Sequence, residues 1–135
     1  MEKLVATLKV ATHNVEVIHR CIYGKDFFSV HELTRDYYQQ LSEMTDDIIE
    51  TFMSMGFYEP GLENSTRLYP SLRGQKIKTY DAYVLVYDIF ADIIKEIDAI
   101  KETLPHDISD KLMGYKVWLR KEMDYKLRRI SNSVE

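Results

Sequence analysis

Between Ser29 and Gly56, apolar residues recur three and four positions apart: Val30, Leu33, Tyr37, Leu41, Met44, Ile48, Phe52 and Met55. A run of that length and spacing predicts one long helix burying a single stripe, and commits the chain to packing helix against helix. Ser29 and Glu32 make an S-x-x-E pair that predicts a capping box at its start, and Gly56 marks the stop. A second stripe beside the first carries His31, Arg35, Asp46 and Glu50. At about 100° per residue these four lie within roughly 100° of one another and share a face. Along the axis, however, His31 and Asp46 are about 22 Å apart at about 1.5 Å per residue, so one copy cannot close both ends around one ion. Two copies can. Antiparallel pairing about a two-fold axis near Gln40 brings His31 of one chain to Asp46 and Glu50 of the other, with two such sites per dimer.

The remaining pattern is also helical. Leu4, Leu8, Ala11, Val15, Ile18 and Ile22 predict a first helix over about residues 2–22. Residues 23–28, with Gly24 and Asp26, are long enough only for a tight connection, which sets the second helix antiparallel to the first. From Phe57 to Lys78 periodicity fails and Pro60, Gly61, Asn64, Pro70 and Gly74 intervene, predicting a loop of about 22 residues. Thr79 caps a third expected helix with Tyr83, Val86, Phe90, Ile93, Ile97, Ile100 and Leu104 inward, ended by Pro105. A fourth starts at Asp107 or Ser109, turns Leu112, Tyr115, Leu119, Met123, Leu127 and Ile130 inward, and frays after Ser131. The topology expected is therefore an all-α, four-helix bundle with a long crossover loop between the second and third helices. The second helix is about 40 Å long, and the loop is long enough to return over that distance. An up-down-up-down arrangement remains open.

The 135 residues fit one domain with a real core, at 45% hydrophobic content and only five glycines and three prolines. Net charge is −4, with an acidic stretch from His31 to Glu63 and a basic one from Arg67 to Lys78, so neither DNA nor a membrane is simply implied. A single cysteine, Cys21, excludes an intrachain disulfide and suits the cytoplasm, and no leader or membrane span is expected.

The segment His19-Arg-Cys-Ile-Tyr-Gly24, then Phe27, then Val30-His31-Glu32, followed by Asp46 and Glu50, resembles the Dps mini-ferritins of the ferritin-like superfamily in the turn between the first two helices and in the second helix. The match covers about 30 residues. It implies a ferroxidase centre across a dimer interface, with His19 and His31 from one subunit and Asp46 and Glu50 from the other. Carboxylates are hard donors for iron, and imidazoles accept Fe(II) or, as a substitute, Zn(II). The resemblance further implies a homo-oligomer that dimerises through the second helix and builds up to a dodecamer. That assembly would oxidise ferrous iron with oxygen or peroxide and store it.

One position departs from the family. Where an aspartate usually follows the second-helix histidine by four residues, this chain has Arg35, which has no lone pair to give and stays positive. Arg35 paired with Asp46 or Glu50 of the partner would replace the ion by a salt bridge, leaving a metal-poor structural or interaction protein on the same fold. The E-x-x-H unit occurs once, at Glu16 to His19. His13 and His106 lie off the pattern, and Asp88, Asp92 and Glu96 read as an exposed acidic row. Lys111, Lys116, Arg120, Lys121, Lys126, Arg128 and Arg129 on the last helix raise a third reading, a helical nucleic-acid-associated protein. In the family that this chain resembles DNA is often bound through a lysine-rich N-terminal tail, and with the first helix expected to start almost at Met1, DNA is not favoured as a partner.

Overall fold

The computed structural model describes residues 1–130. The expected fray after Ser131 lies outside them. Contacts divide the chain into two compact units, Met1–Ala82 and Tyr83–Glu135, each considered by itself.

The first unit is built on a hairpin of two long helices, α1 (Glu2–Cys21) and α2 (Phe27–Met53). The α1 seam, Leu4, Leu8, Ala11, Val15, Ile18 and Ile22, is buried as its spacing requires. So are Val30, Tyr37, Leu41, Met44, Ile48 and Phe52 of α2, whereas Leu33 and Met55 are half-buried. The C-terminus of α2 is a Schellman motif. Gly56 N–H donates to Met53 O at 2.9 Å and Phe57 N–H to Phe52 O at 3.1 Å, with Gly56 at φ 89°. The Phe57 ring meets the Phe52 ring edge-on at 5.9 Å and closes the motif.

The start of α2 differs from expectation. It begins at Phe27, two residues before Ser29, after a left-handed Asp26 (φ 61°) that makes no side-chain cap, so Ser29 and Glu32 form no capping box at its N-terminus. The physical reason is Phe27, whose ring stacks on His31 one turn later, 5.1 Å between centroids. That contact carries the helix back past the serine.

The expected loop over residues 57–78 is more ordered than its composition suggests. It contains a short helix, α3 (Leu62–Leu68), and a two-residue strand, β2 (Ile77–Lys78), paired in parallel with β1 (Ile22–Tyr23). The connection is tied along α1 by Lys9 Nζ to Pro60 O at 3.2 Å, Lys3 Nζ to Leu68 O at 2.6 Å, and the buried side chain of Asn14. That amide donates to Pro70 O at 3.2 Å and accepts from Leu72 N–H at 2.8 Å. It ends where Thr79 Oγ1 donates to Lys25 O at 2.6 Å, beside the turn from which α2 departs. The connection therefore runs the length of the hairpin.

In the second unit, α4 (Thr79–Ile100, its first four residues in the first unit) buries Tyr83, Val86, Phe90, Ile93 and Ile97. A 3₁₀ turn over Lys101–Thr103 precedes Pro105, which caps α5 (His106–Lys121). Leu104, Ile100, Tyr115 and Ile130 are only half-buried. Leu112, Leu119, Met123 and Leu127 are buried, and the Trp118 ring lies 5.8 Å from that of Phe90. Beyond α5 the helix widens to a π segment over Glu122–Leu127, which periodicity does not signal.

Two identical substitutions should have opposite effects. Gly56→Ala places a Cβ in open space but on a left-handed backbone, and should cost about 1 kcal/mol. Gly114→Ala, exposed inside α5 with nothing near its Cβ, should add up to about 1 kcal/mol. Denaturant titration of both proteins measures the two signs.

Candidate metal centre

His19 lies in the last turn of α1 and His31 one turn into α2, so the tight connection brings their rings together. The centroids are 3.7 Å apart and the planes 20° from parallel. Phe27 also stacks on His31, and Tyr38 meets His19 edge-on at 5.3 Å. His19 is buried at 7% exposure and His31 half-buried.

Hydrogen bonds fix the tautomers. His31 Nδ1 lies 3.1 Å from His19 O, and because a carbonyl only accepts, Nδ1 carries the proton. His19 Nδ1 is 3.0 Å from Thr34 Oγ1. The Thr34 hydroxyl already donates to Val30 O at 2.8 Å, as threonines on a helix do, so it accepts from His19 Nδ1–H. In both rings the lone pair then sits on Nε2. A metal-binding imidazole is held in the same way, its other nitrogen donating to a carbonyl or hydroxyl. The donor set fits a borderline divalent ion such as Zn(II) or Fe(II).

Burial first, then the His31 ring, then the positive charges of Arg35 and Arg20 hold the His19 pKa below the ordinary 6.5, against a raising contribution from the backbone hydrogen bond at His31. The imidazole is therefore kept in its neutral, ligating form. Glu16, the acid of the single E-x-x-H unit, pairs with Arg20 at 3.3 Å.

The other residues of the expected site lie elsewhere on the same chain. Arg35, Asp46 and Glu50 are exposed on the outer face of α2. Asp46 lines an open groove of about 480 Å³ with Lys9, Thr12, Ser42, Thr45 and Ile49. Among the described residues no three His, Cys, Asp or Glu side chains converge as a metal site within one chain. The two histidines are brought together and the two carboxylates are not, as the rise of α2 dictates. Sequence reasoning missed Thr34 and Tyr38 as neighbours of the histidines and had Phe27 only as part of the motif. Thr34 follows His31 by three residues, a helical-neighbour spacing, but its partner His19 is on another helix.

Elsewhere, His13 and His106 are exposed. The basic row of the last helix is partly neutralised, Lys116 by Asp98 at 2.7 Å, Lys126 by Glu122 at 2.9 Å and Arg128 by Asp124 at 3.5 Å. Hydrogen bonding to Lys116, with a second from Lys101, holds the Asp98 carboxyl below its usual pKa in spite of its desolvation. No described helix is long and apolar enough to cross a membrane.

No family model matches the sequence, and no curated protein matches it. Solved structures do. The antigen TpF1 from Treponema pallidum superposes with a TM-score of 0.88 and 22% identity, over 96% of this chain and 86% of that one. CAIP from Helicobacter cinaedi superposes with a TM-score of 0.81 and 17% identity, over 96% of this chain and 94% of that one. At these identities the likeness concerns the fold alone, and the chain has an all-α helical-bundle fold.

A depressed histidine pKa has a definite sign. The unfolded chain protonates His19 near 6.5 while the folded ring is still neutral, so protons favour unfolding. Stability should be complete above pH 6.5, decline as the pH falls below it, and level off below the folded pKa. His19→Gln should remove that part of the slope in urea midpoints measured across this window.

Proposed function

We propose that this chain is a mini-ferritin of the Dps kind, which pairs with a second copy through α2 and binds and oxidises ferrous iron at sites shared between the two. The observation that carries the reading is the His19–His31 pair, two stacked imidazoles whose Nδ1 atoms are both tied down, so that Nε2 is the nitrogen left to ligate. Asp46 and Glu50 of the partner subunit supply the hard oxygen donors, which explains why carboxylates so far along α2 stand exposed on the face that carries His31. Zn(II) takes the same ligands without redox chemistry. The storage shell, a dodecamer, follows from the same family resemblance, and the cytoplasm as its place from the single cysteine, Cys21.

Arg35 supports a second reading, in which the fold is kept as a scaffold and a guanidinium stands where a ligand would. The nucleic-acid reading is weaker, since three of the basic side chains of the last helix already face acids. Retention on DNA that falls steeply with salt would favour it.

Sedimentation of the purified protein should show at least a dimer. A stable monomer of 16.0 kDa at micromolar concentration would remove the shared site. Aerobic Fe(II) should be oxidised faster than in buffer, and replacing His19 and His31 together by Ala should abolish the gain. Oxidation unchanged by that double replacement would overturn the reading. Thr34→Val removes the acceptor that fixes the His19 tautomer and should weaken Zn(II) binding by about 10- to 100-fold with the fold intact. Calorimetric titration against the parent protein checks it.

A further inference from the structure

His19 and His31 are adjacent in space, yet their geometry is not that of a chelate. An imidazole binds an ion in the plane of its own ring, along the Nε2 lone pair, at about 2.0–2.1 Å for zinc. Here the ring centroids are 3.7 Å apart and the planes only 20° from parallel, so the two rings stack face to face and their planes do not meet within ligating distance of both nitrogens. Neither ring is free to turn toward the other. His31 stacks against both Phe27 and His19, and each Nδ1 is fixed, one to the His19 carbonyl and one to Thr34. The rings therefore offer two separate single-nitrogen positions side by side.

Charge decides how many of those positions fill. Arg35 lies one turn beyond His31 on the same face of α2, permanently positive, and its field reaches His19. With Asp46 and Glu50 of the partner subunit as the anions, one divalent ion and Arg35 leave the site one charge positive. A second divalent ion would leave it three charges positive, and two divalent ions repel four times as strongly as two unit charges at the same separation.

Resting on the shared-site reading above, we infer that each site takes a single divalent cation on one imidazole of the His19–His31 pair, with the Arg35 guanidinium acting as a tethered cation in place of a second ion. Arg35 is then a specificity-determining residue for metal number. Its presence at a ligand position is compatible with a working mononuclear site.

The test is the number of Zn(II) ions bound per chain by the full-length protein, measured by calorimetric titration and by metal analysis after gel filtration. The parent protein should bind one per chain. Arg35→Asp, which removes the positive charge and adds a donor, should bind two. Arg35→Gln, which removes only the charge, should bind a second ion more weakly than the first, and serves if the aspartate variant does not fold. Two ions per chain in the parent, or one in both variants, would overturn the single-cation assignment while leaving the shared site standing. No Zn(II) bound by the parent or by either variant would overturn the shared site itself.

Discussion

The hydrogen bond from the His31 ring to the His19 carbonyl is the contact on which the candidate site depends. The last carbonyls of a helix have no partner within it, and at the buried end of α1 one of them must be satisfied by something else. The His31 imidazole does so, and in the same act its Nδ1–H is committed and its Nε2 left as the lone-pair nitrogen. Terminating α1 and orienting the His31 imidazole are thus one interaction. Phe27 and Thr34 complete it, the first by stacking on His31 and the second by accepting from His19. A pair of imidazoles assembled in this way is set by folding and needs no ion to order its rings.

The same end of the hairpin also anchors the long connection. Ile22 and Tyr23, which leave α1, pair with Ile77 and Lys78, which enter α4, and the Thr79 hydroxyl is tied to the Lys25 carbonyl in the turn. Asn14 holds the connection midway by reading its backbone in both directions. These polar ties compensate for a segment with few apolar side chains to bury. They let the crossover be long without being loose, and they hold the turn that sets His19 against His31.

Much of this was legible in the sequence because helical periodicity reports burial directly. The α1 seam, the α2 stripe and the stop at Gly56 follow from spacing and from one glycine at positive φ. The capping box was not made, because a local S-x-x-E pattern competes with a stacking contact between Phe27 and His31 that no capping rule includes. The short α3 and the two-residue β pair were invisible for another reason. Seven residues are too few to establish a period, and β2 exists only because a strand more than 50 residues away in the chain lies beside it. In the site, the separation of His31 from Asp46 follows from the rise of a helix, whereas the stacking of His19 on His31 depends on how two helices meet.

The central proposal is that histidines and carboxylates from different chains make one site. Mixed assembly tests that most directly. One protein carries His19→Ala with His31→Ala, the other Asp46→Ala with Glu50→Ala, and Zn(II) binding is measured for each alone and after the two are unfolded and refolded together in equal amounts. Each alone should bind no Zn(II) at the site, and the mixture should regain it, because the histidines of one chain meet the carboxylates of the other. A mixture that stays silent while the parent binds after the same treatment, or a carboxylate variant that binds as well as the parent, would contradict the account.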